Sequence, residues 1–491
     1  MRLFEIVLVG ANVLSLLGWV LPLPDSLRGA RIALALLALA AGAAQIALEG
    51  PRWQLAPAYG LALGLAVVVP AGGAPGSLGG GLALLTLLIA AALPAPLPVF
   101  RLPEPTGPYA IGTLTYHWVD SSRPELFTPD DPTDHRELMA QVWYPAQAVP
   151  GATRAPYIED VEHVAPALAR LFHLPPFFLS HFRYVTTHAV DAAPVASGEK
   201  RYPVLIFLSG LGGFRQSNMA QVEALVSHGY VVVGLDQPGA SALVRFPDGR
   251  EVSVPPRDVI QPSIVQSVEP APDPPVLFGE PLPAGIIPYF AADASFAVDR
   301  LAALDAADPH GVLTGRLDLS RAGIFGISLG GINAAEACWL DDRLDACLIM
   351  DVFISQHVVE DGLDQPVMIV TRSADTMQLE QERAGGWTET EIEQHQRTMR
   401  ALYERARGDA YYLQIEDMFH VNMTDAPYWT PLLRWLGMAG PLDGGRVWDV
   451  LNAYTVAFFD RHVKGEPASL LDGSSADYPE VEFEARRLTT P

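Results

Sequence analysis

Gly323-Ile324-Phe325-Gly326-Ile327-Ser328-Leu329-Gly330-Gly331 sets a single serine among four glycines at the end of an apolar run. An apolar run, Ala322 to Ile327, ends at a serine with glycine two residues before and two after. The small-residue segment Ile332-Asn333-Ala334-Ala335-Glu336-Ala337 follows. The pattern predicts a strand, a tight turn and a helix. Such a turn strains the serine backbone and pushes its hydroxyl outward, so side chains at Gly326 or Gly330 would collide with the neighbouring strand or helix. The following helix aims its first N–H groups and the positive end of its dipole at the serine, where negative charge would develop during acyl transfer.

Working outward, short apolar strands alternate with helices. Pro203–Leu208 and Tyr230–Leu235 read as strands with a helix, Asn218 to His228, between them. Further strands are expected at Gly323–Ile327, Ala346–Met350, Pro366–Val370 and Tyr411–Ile415. This rhythm is that of a mostly parallel sheet covered by helices on both faces, an α/β fold. An earlier strand is expected at Met139–Tyr144, and residues 136–470 read as the catalytic domain. Within it, residues 245–289 hold eleven prolines and read as an insertion covering the pocket mouth. The aromatic segment Asp160 to Tyr184 could line the acyl side of a pocket. Residues 101–135 read as a Pro-rich linker and 471–491 as an irregular tail.

The first hundred residues differ in kind. They carry four arginines against three carboxylates, whereas the whole 491-residue chain has a formal charge of −24. From Trp53 to Phe100 no residue is charged. A membrane span needs about 20 apolar residues, and four are expected, near 3–23, 31–49, 53–71 and 79–99. Residues 1–100 therefore read as an all-α four-helix transmembrane anchor, and four spans place both chain ends on one side. The arginines that flank the spans do not decide which side. The acidity of the remainder argues against nucleic acid as a partner. Cys338 and Cys347 give neither a disulfide framework nor a metal pattern and read as small buried apolar residues. No metal or organic cofactor is implied, and oligomeric state is left open.

A serine hydroxyl needs a base to take its proton and an acid to orient that base. Of the 12 histidines, His357, His395, His420 and His462 follow Ser328. His395 and His462 lie in charged helical stretches and read as solvated. His420, in the loop after the last expected parallel strand, suits the base. Asp351 and Asp375 each follow a strand end and compete as the acid. One oxyanion donor is expected at the N–H of Leu329. The other is expected from Ser209-Gly210-Leu211-Gly212-Gly213, where glycines permit close backbone approach.

Phe207–Arg215, Val226–Gly234, Glu137–Pro145, the serine turn, Asp351 and His420-Val421-Asn422 together resemble the plasma and bacterial platelet-activating factor acetylhydrolases, of the α/β-hydrolase superfamily. The resemblance spans roughly residues 110–465. It implies hydrolysis of short or oxidised acyl esters, including phospholipid esters, without calcium. Carried over, it implies Ser328 as nucleophile, Asp351 as acid, His420 as base, and Leu211 and Leu329 as oxyanion donors. It also tips the expected location of the catalytic domain towards the extracytoplasmic side of the cell membrane. A general lipase or polyester-type esterase on the same residues is the alternative. A non-catalytic membrane receptor with a hydrolase-like domain is the reading from another class. The family usually has histidine at the position of Ser209, and histidine and phenylalanine at those of Ile327 and Leu329.

Overall fold

A computed structural model describes residues 1–488. The chain forms two compact units, the first made of Met1–Phe100 with Trp429–Leu432, the second of the remainder.

The first unit holds four helices: α1 (Leu3–Val20), α2 (Arg28–Glu49), α3 (Ala56–Val68) and α4 (Ser77–Ala92). One packed cluster is built largely from small residues, Ala38, Ala41, Ala58, Ala62 and Ala90 with Leu8, and a second from Leu16, Leu61, Leu65 and Leu87 with Ala35 and Val69. Polar groups are also inside. Glu5 pairs with Arg52 at 2.7 Å, and Asn12 Nδ2 donates to the Ala58 carbonyl at 3.1 Å. Many large aliphatic side chains point the other way: Leu3, Leu14, Leu37, Leu63, Leu78 and Leu82 are exposed, while the leucines of the second cluster pack inside. By length and composition two of the helices, Leu3–Val20 and Asp25–Glu49, could cross a membrane, while Trp53–Val68 and Ser77–Ala92 are apolar but shorter. The shorter pair is cut back by Pro70 and the glycines after it, and by Pro94 and Pro96.

The second unit is built on an eleven-stranded sheet. Its strands are β1 (Ala110–Pro124), β2 (His135–Ala146), β3 (Arg154–Pro156), β4 (Thr186–Asp191), β5 (Tyr202–Leu208), β6 (Val231–Asp236), β7 (Leu317–Ile327), β8 (Ala346–Met350), β9 (Val367–Thr371), β10 (Ala410–Ile415) and β11 (Val481–Arg486). The spatial order is β11-β10-β9-β8-β7-β5-β6-β2-β1-β4-β3. From β6 to β10 every neighbouring pair is parallel. Every residue of β5, β6, β8 and β9 is buried, as a sheet covered on both faces requires. The covering helices include α5 (Val161–Leu171), α6 (Met219–Ser227), α7 (Arg257–Val268), α8 (Ile287–Ala306), α9 (Leu329–Leu340), α10 (Gln356–Asp361), α11 (Ala374–Ala384) and α12 (Glu389–Arg405).

The structure corrects several expectations. Much of the supposed linker is β1, antiparallel to β2 from Ala110 opposite Ala146 onward. It alternates as a half-buried strand should, with Tyr116 and Trp118 inside and His117 and Val119 outside. The supposed irregular tail contains β11, antiparallel to β10 and closing that edge of the sheet; residues 489–491 lie outside the described residues. The Pro-rich insertion holds α7, whose Ile260, Ile264 and Val268 recur at four-residue spacing and are buried. Cys338 and Cys347 are joined as a disulfide, with Cα atoms 6.6 Å apart. They sit near the end of α9 and the start of β8, and the chain reversal between them brings them within bridging reach.

Candidate active site

Ser328 stands between β7 and α9 with φ 56° and ψ −127°. Its N–H donates to the Met350 carbonyl at 2.9 Å, and its own carbonyl accepts from Gly331 at 2.8 Å. The strained turn is therefore fixed from both sides. A Cβ at Gly330 would overlap the Leu208 backbone, and one at Gly326 would overlap that of Gly330, so only glycine fits at either place. One strand over, Asp351 at the end of β8 also has positive φ, 51°, with its N–H on the Val370 carbonyl at 2.9 Å. Two adjacent parallel strands thus each end in a strained polar residue.

His420 follows β10. Its loop is held by Asn422, whose Oδ1 accepts from Phe419 N–H at 3.0 Å and Gly440 N–H at 2.8 Å. Asp425 ties the same loop to the start of α6, accepting from Met219 and Ala220 N–H at 2.6 and 3.2 Å. So placed, His420 Nδ1 lies 2.6 Å from Asp351 Oδ2. Asp375 lies in the first turn of α11 and does not line the site; Asp351 is the carboxylate that His420 meets.

Ser328, Leu329, Leu211, Asp351 and His420 line one cavity of about 240 Å³. Apolar walls come from Ile264, Ile332, Val352 and Phe353, and Arg257 and Gln261 of α7 add polar groups. The loop carrying Leu211 is pinned: Gly212 N–H donates to the Ala240 carbonyl at 2.7 Å and Gly213 N–H to Gly210 at 2.8 Å. A Cβ at Gly210 would stand 3.1 Å from that of Ser328, which measures how closely this loop approaches the serine. The aromatic segment Asp160–Tyr184 contributes no lining residue, because α5 turns Val164, Ala165 and Leu168 into the core instead.

Residues that the sequence did not single out complete the surroundings. His395 is wholly buried, not solvated, with Nε2 3.3 Å from Asp351 Oδ1 but outside hydrogen-bonding alignment. Its burial follows from a stripe on α12, Ile392, His395, Met399 and Leu402, at helical spacing. Burial disfavours its charged form and outweighs the nearby carboxylate, so its pKa is lowered. His462 is likewise partly buried against Tyr411, 3.0 Å from its hydroxyl, and burial lowers it to about 4. Arg372, fully buried after β9, lies with Nε 2.9 Å from Asp351 Oδ2 and pairs through Nη1 with Glu380 of α11. Burial would raise the Asp351 carboxyl, but Arg372 together with the two imidazoles holds it well below the usual range. Trp387 stands edge-on to both His395 and His420, at ring distances of 5.6 and 5.3 Å.

The family profile described as platelet-activating factor acetylhydrolase, isoform II, matches residues 98–254. The platelet-activating factor acetylhydrolase of Canis lupus familiaris is 27% identical over 149 residues. Over this stretch the chain is similar to the platelet-activating factor acetylhydrolases. That match covers 30% of this chain and 30% of the dog enzyme, and the profile stops before Ser328. A solved structure reaches further. The ferulic acid esterase from Streptomyces cinnamoneus is 27% identical, with a TM-score of 0.60, over 79% of this chain and 99% of that one. With the parallel sheet and its covering helices, these findings are consistent with an α/β-hydrolase fold.

Proposed function

We propose that the chain is a serine esterase acting through Ser328, His420 and Asp351. One observation carries this reading: a serine on a strained strand-to-helix turn lines the same cavity as a histidine bonded to a buried carboxylate. Ser328 Oγ attacks the ester carbonyl carbon as His420 takes its proton, and Asp351 holds the imidazole in the required tautomer. The oxyanion is met by the N–H groups of Leu211 and Leu329, the second at the start of α9. His420 then protonates the departing alcohol, and water releases the acyl group by the same steps in reverse roles.

The relationship to the acetylhydrolases supports a short or oxidised acyl chain on a phospholipid-like ester. A cavity of about 240 Å³ with apolar walls suits a small acyl group. The likeness to a ferulic acid esterase over nearly the whole of that chain favours a second reading, a general carboxylic esterase on the same residues. The four helices of the first unit are proposed as a four-span anchor, supported by their outward leucines and inward small and polar residues. The disulfide supports a catalytic unit on the extracytoplasmic side, since such bonds persist in oxidising compartments.

A series of p-nitrophenyl esters of rising chain length, run beside short-acyl and long-acyl phosphatidylcholine, separates the two substrate readings. Hydrolysis restricted to short-acyl phosphatidylcholine and acetyl or butyryl esters supports the first. Fluorophosphonate labelling that persists in Ser328→Ala removes the proposed nucleophile.

A further inference from the structure

The candidate acid sits in an unusual charge arrangement. Two carboxylates, Asp351 and Glu380, share one buried guanidinium, that of Arg372, which also lies 5.3 Å from the centre of the Trp387 ring. Both carboxylates touch the His420 residue. Asp351 meets Nδ1, and Glu380 Oε2 accepts from the backbone N–H at 3.3 Å. His395 adds no charge, being neutral by burial. Around the resting imidazole the fixed charges therefore leave one negative charge in excess, and a proton on His420 would bring the cluster to neutrality.

We propose that Arg372 and Glu380 are positioning residues that set the cluster's charge, and with it how firmly a proton is held on His420 during the reaction. The inference rests on the esterase reading above. In that reaction the Ser328 hydroxyl proton moves to His420 as the Oγ–carbon bond forms, and leaves with the alcohol as the ester bond breaks. Too much negative charge around the imidazolium would hold the proton when the leaving group needs it; too little would oppose its uptake from serine. Arg372 cancels one carboxylate and leaves the other active. The other charged groups nearby are Arg257 of α7, which lines the cavity and pairs with Glu391 at 3.3 Å, and Arg383, whose guanidinium lies over the Phe419 ring at 5.9 Å and is left unchanged in every variant below. On the histidine's own loop stand Glu416 and Asp417.

The test is the pH dependence of kcat/KM for p-nitrophenyl acetate, measured on the full-length protein in detergent. Glu380→Gln removes a negative charge and should move the acid limb to lower pH by about one unit; Arg372→Met should move it to higher pH by about as much. The double variant should return the limb close to that of the parent, and Arg372→Lys should keep it there. Limbs that stay fixed, or that move in the same direction in both single variants, overturn the proposal. If Arg372→Met does not fold, the direction of the Glu380→Gln shift decides. Hydrolysis that survives Ser328→Ala overturns the esterase reading instead, a separate outcome.

Discussion

At the scale of single residues, the turn at Ser328 makes unequal demands on its neighbours. Gly330 faces the Leu208 backbone, which has nowhere to go. Gly330→Ala should therefore cost about 3 kcal/mol in denaturant unfolding, at the upper end of overpacking effects. Ser328→Ala should lower turnover of a p-nitrophenyl ester by at least about 10⁴-fold while leaving the unfolding midpoint in place. Asp351→Asn should cut turnover by a similar factor through loss of the tautomer, and Asp375→Asn should leave it unchanged. Asp425 makes a different prediction. Burial pushes it up to about 8 despite its backbone donors. A carboxyl whose folded pKa exceeds its unfolded value near 4 adds most stability below pH 4 and loses that contribution as pH rises through 8. Asp425→Asn should abolish this fall, so the parent's thermal midpoint should drop relative to the variant's as pH rises across that range.

At the scale of elements, α7 carries two exposed ion pairs to α12, Arg257–Glu391 and Glu269–Arg397. Such pairs contribute about 1 kcal/mol or less, so the buried stripe Ile260, Ile264 and Val268 must seat the helix. Ile260→Ala should cost about 3 kcal/mol, and Arg397→Ala less than about 1, in the same unfolding measurement. This helix also marks where sequence reading stopped. Its buried stripe was visible in the residues, but Pro262 inside it and ten further prolines around it masked the pattern. In β1 the in-and-out alternation was hidden behind Pro103, Pro105 and Pro108. The parallel strands were legible because each carries a short apolar run, and the serine turn because its glycines have a steric cause. His395 was not. The charges around it on α12 outweighed the stripe of Ile392, Met399 and Leu402 that buries it. Arg372 gave no signal at all, since its partners Asp351 and Glu380 come from separate elements.

At the scale of the whole molecule, the contrast between units dominates. The first exposes many of its leucines and packs small residues inside, whereas the second buries its leucines in the core and carries an excess of negative charge. The protein should remain with the membrane fraction through high-salt and carbonate washing and leave it only with detergent. Its two cysteines should resist alkylation until reduced, and then take up two labels by mass spectrometry.

That covalent link ties together the two elements that carry nucleophile and acid. Helix α9 departs from Ser328, and strand β8 arrives at Asp351; Cys338 and Cys347 join the far ends of these two elements. Nucleophile and acid thus stand at the open tips of a clasp whose hinge end is riveted. Cutting the rivet by Cys338→Ser with Cys347→Ser removes a short loop constraint of about 2.5 kcal/mol. The spacing of the tips would then depend on sheet pairing alone, and preparations made in reducing surroundings should form a softer, less uniform population of enzyme.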